Sequence, residues 1–417
     1  MIVEILATGD EIISGAVVDT NSAFIASMLE ENGYPVKRHT AVSDDKDALA
    51  DLFTEISKRA DLAIVTGGLG PTVDDITAEA AAIAAGVNLV FDRQAMVSVE
   101  NYFKRRNLAY NDLNDKQAWL PEGAESIDNS AGTAPGFHMP IEHCRFIFMP
   151  GVPYEMKKMM GETVLPLVDR LNGKDKKVNL LKTLCTFGLP ETVVNQKVAG
   201  VSTEFPEIKL GLRANFPEIQ VKLYTCGDDD LLLSDTLERA TAWVLERLGE
   251  SVFSLEGDCL EAAVGKQLAV KNATLAVAES CTGGLIAHLL TDVAGSSDYF
   301  LFSGITYANA AKVNILGVNE KTIEEYGAVH EETARQMAEG AKRISGADYA
   351  ISTSGIAGPG GGSPDKPVGT VCIGIATPAG SRAKRFHFTF GDRTLNKRMF
   401  AKVALEYLRR ELAGAGQ

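Results

Sequence analysis

Histidine is scarce in this chain of 417 residues. Only His39, His138, His143, His288, His330 and His387 occur, and none stands in a recognisable catalytic motif. A histidine base is therefore not the first expectation. The Gly-x-Ser-x-Gly elbow is also missing, which argues against an α/β-hydrolase. Six cysteines, Cys144, Cys185, Cys226, Cys259, Cys281 and Cys372, are scattered without a Cys-x-x-Cys pair, so neither a zinc framework nor a disulfide scaffold is expected. No uninterrupted apolar run is long enough to span a bilayer, and Met1-Ile2-Val3-Glu4-Ile5-Leu6 reads as a strand rather than a basic signal peptide. A cytoplasmic protein with no membrane partner is the expectation. Positive charge is in deficit too: the formal net charge is −14, which disfavours direct binding to nucleic acid.

What is present fits a globular α/β protein of two or three domains, 45% hydrophobic and 23% charged. A charged linker, Asn172-Gly173-Lys174-Asp175-Lys176-Lys177, divides domain 1–170 from a smaller domain 175–254, and domain 258–417 follows. The first alternates strands over 2–7, 35–42 and 62–66 with helices over 20–32, 46–59 and 76–86, the pattern of a parallel sheet with helices on its faces. The middle one reads as small α+β, with strands over 182–187, 208–213 and 219–225 and helices over 190–199 and 231–248. The third is again mixed, with strands over 274–278, 299–308, 349–353 and 370–376 and helices over 260–270, 310–316, 331–344 and from 394 onward.

Ser280 sits where the strand over 274–278 turns into a helix through Glu279-Ser280-Cys281-Thr282-Gly283-Gly284, and Lys312 opens the next helix. Serine needs a neighbour to remove its proton, and a helix beginning just after it aims free N–H groups at an oxyanion. Lysine serves as that neighbour only if burial or a nearby cation keeps it partly neutral. A helix-capping serine beside a surface lysine is the alternative, and Cys281 is a rival nucleophile. In the first domain, Thr66-Gly67-Gly68-Leu69-Gly70-Pro71-Thr72-Val73-Asp74-Asp75-Ile76-Thr77 combines glycines that admit a ligand close to the backbone with two carboxylates, either metal ligands or helix caps. Thr8-Gly9-Asp10-Glu11 closes the first strand and adds two carboxylates at the sheet edge. The stretch from Ser354 to Gly369, with Gly358 and Gly360, reads as a ligand-wrapping loop. Arg393 is either a phosphate ligand or half of a surface ion pair.

Together these motifs resemble the CinA family (competence/damage-inducible protein A) across essentially the whole chain. The amino-terminal part is similar to molybdenum-cofactor-biosynthesis-like domains through Thr8-Gly9-Asp10-Glu11, the Gly67-to-Thr77 loop, Gly132-Thr133-Ala134-Pro135-Gly136-Phe137 and Pro150-Gly151-Val152-Pro153. That resemblance implies a molybdopterin-binding-like three-layer α/β domain with ADP-ribose pyrophosphatase activity. A divalent ion (Mg, Mn or Co) would sit at Asp74 and Asp75, with Gly67, Gly68, Gly70 and Thr72 at the substrate. The carboxy-terminal part resembles the nicotinamide-nucleotide amidohydrolase PncC through Glu279-to-Gly284, Gly295-Ser296-Ser297, Thr306-Tyr307 with Lys312, Ser354-to-Pro359, Lys366-to-Thr370 and Gly391-Asp392-Arg393. It implies a CinA/PncC-type α/β domain that deamidates nicotinamide mononucleotide without a cofactor. Ser280 would be nucleophile, Lys312 base, Tyr307 the residue that bridges or orients them, and Thr282, Gly283, Gly284, Gly358, Gly360 and Arg393 substrate ligands. A homodimeric, bifunctional hydrolase of NAD breakdown products is the expectation, and a nucleotide-sensing interaction protein in competence or the DNA-damage response the alternative.

Overall fold

Strands Val3–Thr8 and Leu62–Thr66 are buried along their whole length, as continuous apolar strands covered on both faces must be. They belong to a computed structural model that describes residues 1–173 and 177–414. Lys174, Asp175 and Lys176, where the sequence places its first domain boundary, lie outside the described residues. The chain divides into two compact units, Met1–Leu180 with Thr225–Ser234, and Leu181–Tyr224 with Asp235–Gln417.

The first unit is built on a six-stranded sheet in the order Val36–Val42, Val3–Thr8, Leu62–Thr66, Cys144–Met149, Gly136–Ile141, Glu125–Ile127. The first four strands are parallel and the last two antiparallel. Successive side chains go to opposite faces: Leu6, Ala63 and Val65 meet Leu49, Phe53 and Ile56 of helix Lys46–Ser57, while Val3, Ile5, Leu62 and Ile64 meet Ile25 and Leu29 of helix Thr20–Glu31. Three layers result. Asp19 and Asp45 cap the two helices by accepting the N–H groups of Ser22 and Ala48. The first strand ends at Thr8, and Asp10–Ile13 is a short helix, so Asp10 and Glu11 follow the strand at its carboxyl end.

The second unit holds a five-stranded sheet in the order Phe300–Ile305, Leu275–Glu279, Tyr349–Gly355, Thr370–Thr377, Gly380–His387, parallel across the first three strands and antiparallel beyond. On one face Leu275, Val277, Ile351 and Ile373 pack with Val264 and Leu268 of helix Leu260–Val270 and with Phe400, Ala404 and Leu408 of helix Arg393–Leu412. The opposite face is alanine-rich, Ala276, Ala278, Ala350 and Ala376, and receives Met337, Ala338 and Ala341 of helix Glu331–Ser345. Small residues let that helix come very close: a Cβ on Gly374 would stand 2.1 Å from the Ala334 carbonyl oxygen.

The middle segment is α+β, with strands in the order Lys209–Asn215, Glu218–Gly227, Val178–Phe187, Val252–Ser254 and helices Glu191–Val198 and Asp230–Leu248. Within the second unit it is joined to helices Leu260–Val270 and Arg393–Leu412 by Lys402, whose ammonium donates to both Glu218 and Glu261, all three side chains being buried. No helix among the described residues is long and apolar enough to cross a membrane.

Candidate active site

Three adjacent parallel strands of the second unit end side by side, the place where open α/β sheets gather ligands. Leu275–Glu279 delivers Ser280, Phe300–Ile305 delivers Thr306 and Tyr307, and Tyr349–Gly355 delivers the loop that starts at Ile356. Lys312 lies in the last turn of the short helix Asn309–Asn314, not at its opening, and is 1% exposed. Its Nζ stands 3.2 Å from Ser280 Oγ and donates to the carbonyls of Thr306, at 2.9 Å, and Tyr307, at 3.1 Å. Those two carbonyls are free because the strand stops at Ile305, shorter than the 299–308 span read from the sequence. A neutral amine has two N–H groups and one lone pair. When Lys312 is neutral and both N–H groups are held by these carbonyls, the remaining lone pair is left for the serine hydroxyl. Burial pulls the Lys312 pKa below the usual lysine range, against a smaller opposing influence of Cys281.

The helix expected immediately after Ser280 does not form there; Cys281 to Gly284 are turns, and the helix is Leu285–Thr291. Its start is already occupied. Glu279, fully buried, accepts the N–H groups of Gly284 (2.9 Å), Ile286 (3.2 Å) and Ala287 (2.9 Å). Ser280 N–H donates to the Thr353 carbonyl and Gly283 N–H to that of Ser280, which leaves Cys281 and Thr282 as the turn's backbone N–H groups without a carbonyl or carboxylate acceptor among the described residues. Gly283 and Gly284, at φ 62° and 94°, therefore shape the turn, and their N–H groups are not available to a substrate. The Thr282 hydroxyl is likewise engaged, 2.7 Å from Thr353 Oγ1. Sequence reasoning gave Glu279 no role; the signal was a carboxylate at a strand end just ahead of a helix.

Cys281 is 5% exposed, and burial pushes its thiol up to about 12, which disfavours it as a rival nucleophile. Tyr307 contributes its carbonyl, not its ring: the side chain is 62% exposed and its hydroxyl is 3.4 Å from Arg393 Nη2, so it does not bridge Ser280 and Lys312. Arg393 opens the last helix and donates from Nη1 to the Gly358 carbonyl at 2.6 Å, holding the loop rather than forming an ion pair. Gly360 lies exposed farther along that loop.

In the first unit, a cavity of about 520 Å³ opens at the carboxyl ends of Val3–Thr8, Leu62–Thr66 and Cys144–Met149. Gly67, Gly68 and Gly70 all line it. Gly67 has φ 111°, and a Cβ there would stand 2.5 Å from the Thr8 carbonyl oxygen. Its N–H donates to Met149, and both the N–H and the hydroxyl of Thr72 donate to Asp75 Oδ2, at 2.8 and 2.6 Å. Between Gly67 and Thr72, the N–H groups of Gly68, Leu69 and Gly70 are those without an intramolecular acceptor among the described residues. Asp75 has one oxygen closing the turn, and Asp74 is exposed, its pKa lowered first by the Thr72 hydroxyl. The pair is not a preformed metal cage: among the described residues no group of three or more His, Cys, Asp or Glu is arranged to hold an ion.

The cavity nevertheless faces Glu11, Asp19, Asp44 and Glu155 as well, and no lysine or arginine lines it. Asn21 Oδ1 and Gln117 Oε1, on two further lining residues, are buried without a partner. Burial raises the Glu155 pKa above the ordinary carboxylate range. Such a donor set fits a hard divalent ion held by one or two protein carboxylates together with ligand oxygens and water.

Fold and site define an α/β protein with a buried serine–lysine pair in one unit and an acid-lined, glycine-looped cavity in the other. Residues 258–412 match the model of the CinA C-terminal domain, and residues 4–170 that of a probable molybdopterin binding domain. A CinA-like protein of Desulfosudis oleivorans is 52% identical over 412 residues, covering 99% of this chain and 100% of its own length. One from Geobacter metallireducens is 44% identical over 408 residues, with 98% of each chain covered. The chain belongs to the CinA family. Among solved structures, the competence/damage inducible protein of Agrobacterium tumefaciens is 38% identical over 38% of this chain and 94% of its own, with a TM-score of 0.36.

Proposed function

We propose that the second unit hydrolyses the carboxamide of nicotinamide mononucleotide to nicotinate mononucleotide and ammonia. The observation that carries this reading is the buried Lys312 Nζ 3.2 Å from the Ser280 hydroxyl, with the Thr306 and Tyr307 carbonyls as its other two partners. Lys312 accepts the Ser280 proton as Oγ attacks the carboxamide carbon. Negative charge collecting on the carboxamide oxygen is met by the N–H groups of Cys281 and Thr282, a good donor of this kind being worth about 3 kcal/mol. The proton passes from Lys312 to the amide nitrogen, which leaves as ammonia. Water, deprotonated by the same amine, then cleaves the acyl-serine ester. Arg393 and the loop from Gly358 to Gly360 are assigned to the substrate phosphate.

Ammonia release from nicotinamide mononucleotide by the purified chain tests this directly, and no release by a folded preparation overturns it. Cys281→Ala is expected to keep the rate within about twofold, because a thiol held protonated contributes no nucleophile. A dead Cys281→Ala beside an active Ser280→Ala would reverse the assignment.

For the first unit the reading is hydrolysis of ADP-ribose to AMP and ribose 5-phosphate. The N–H groups of Gly68, Leu69 and Gly70 face the pyrophosphate, and Asp74 with the open oxygen of Asp75 would hold the divalent ion. When bound, that ion neutralises charge on the phosphate oxygens. A nucleotide sensor without turnover is the second reading, favoured by the engagement of Asp75 Oδ2 with Thr72. Asp75→Asn is expected to lower ADP-ribose cleavage by about tenfold or more and to weaken its dependence on added metal. Deamidation should stay unchanged with or without chelator. Equal loss of both activities in a folded Asp75→Asn chain would contradict separate sites.

A further inference from the structure

Two loops that the sequence singles out meet on the wall of the first unit's cavity. One follows strand Glu125–Ile127 and runs through Asn129 and Gly132; the other follows strand Cys144–Met149 and leads into helix Pro153–Met159, which carries Glu155 in its first turn. Asn129 is fully buried and uses both ends of its side chain twice. Its Oδ1 accepts the N–H groups of Ala131 (3.0 Å) and Gly132 (2.9 Å), and its Nδ2 donates to the Ala134 carbonyl and to Glu155 Oε2, both at 2.8 Å. Four bonds fix which end of the amide faces Glu155. The carboxyl group lies against Gly132, where a Cβ would overlap both of its oxygens, so the loop needs glycine there to seat it.

One oxygen of Glu155 is held and the other is not. Oε1 has no donor among the described residues, and Glu155 lines the cavity together with Thr133, Ala134 and Gly151. Hydrolysis of a diphosphate calls for a group that takes a proton from water near neutral pH, and no histidine, lysine or arginine lines this cavity, which leaves its carboxylates. Their surroundings tell them apart. Asp19 caps helix Thr20–Glu31, Asp44 accepts from the Thr8 hydroxyl and the Asp10 N–H, and Asp75 closes the turn with Thr72. Glu11 and Asp74 are exposed. Glu155 combines two features that suit a base: a fully buried amide orients it, and burial raises its pKa, against smaller opposing influences of Asn129 and of Arg106 at the end of helix Arg93–Arg106.

We propose that Glu155 is the general base of this cavity, taking a proton from the water that attacks the ligand's diphosphate. The inference rests on the ADP-ribose reading of the first unit. As the water oxygen bonds to phosphorus, its proton passes to Glu155 Oε1. The bond from that phosphorus to the bridging oxygen breaks, its electron pair leaves on the departing phosphate, and Glu155 then releases the proton to solvent. In the full-length chain with added magnesium, Glu155→Gln is expected to lower kcat for ADP-ribose by about 10²–10⁴-fold. KM should stay within about twofold, because glutamine keeps an oxygen for Asn129. Parental kcat should rise with pH through the raised Glu155 value and then level off, since the base works when ionised, and the residual activity of Glu155→Gln should lack that rise. Arg106→Gln, an exposed change, should move the rise to higher pH, because it removes a cation that favours the carboxylate. Parental kcat in a folded Glu155→Gln chain, or a pH rise that survives in it, overturns the base assignment and leaves ADP-ribose hydrolysis standing. A raised KM with parental kcat makes Glu155 a binding contact and overturns the assignment likewise. An unmoved rise in Arg106→Gln overturns it even where Glu155→Gln fails to fold. No cleavage by the folded parent sinks the hydrolase reading, and the base assignment with it.

Discussion

Lys312→Met is expected to abolish ammonia release from nicotinamide mononucleotide in a chain that still folds, and Ser280→Ala to do the same. Removing the nucleophile of a serine hydrolase, or the base that activates it, costs on the order of 10⁶ in turnover. Methionine fills the volume of the lysine stem but has no lone pair to take the Ser280 proton. Stability should move far less, because two effects oppose: the buried amine's desolvation cost disappears, while the Thr306 and Tyr307 carbonyls each lose a donor, about 1–3 kcal/mol apiece. The pH dependence follows from the lowered Lys312 pKa. The base works when neutral, so kcat/KM rises with pH through that depressed value and levels off above it. Between the folded value and the higher unfolded one, the unfolded chain binds more protons, so parental stability rises with pH across that window. Lys312→Met should lack that slope. Denaturant melts across alkaline pH, beside ammonia assays, check both parts, and a Lys312→Met chain with parental turnover would eliminate lysine as base.

Lys402→Met should destabilise the second unit by about 3–5 kcal/mol, since it strands two buried carboxylates without their cation. Glu218→Gln is expected to stay within about 1 kcal/mol of the parent, because Lys402 keeps Glu261 as its partner. One ammonium faces two carboxylates, and burial, ahead of the opposing pull of Lys402, raises the Glu218 pKa. A raised folded value means that this group's stabilising share is full below the unfolded carboxylate range and is lost as pH rises through the folded value. Parental stability should therefore decline with pH over that interval, and Glu218→Gln should flatten the decline. Urea midpoints measured from acid to neutral pH distinguish these outcomes. A Lys402→Met chain as stable as the parent would show that the triad does not hold the middle segment to these two helices.

Much of this architecture is legible before any coordinates. The all-buried strands Leu62–Thr66 and Leu275–Glu279 read as apolar runs, and Lys46–Ser57 and Glu331–Ser345 as helical periodicities, because burial on a regular element imposes its own spacing on the sequence. The hairpin Gly136–Ile141 with Cys144–Met149 is less legible, since its glycine and proline positions look like turns until the neighbouring parallel strand supplies a pairing edge.

At the site, residue chemistry alone singled out Ser280 and Lys312, 32 positions apart, and the glycine loop from Gly67 to Thr72. Tertiary structure decided how each donor is used. Glu279 closes the helix start that was to receive an oxyanion, Thr353 takes the Thr282 hydroxyl, Tyr307 supplies a carbonyl instead of its ring, and Thr72 binds one oxygen of Asp75. Sequence determines which groups are able to react, because that is a property of the side chain. Which of them remain free to react is a matter of hydrogen-bond partners, and those come from strands and loops far apart in the chain that only folding brings together.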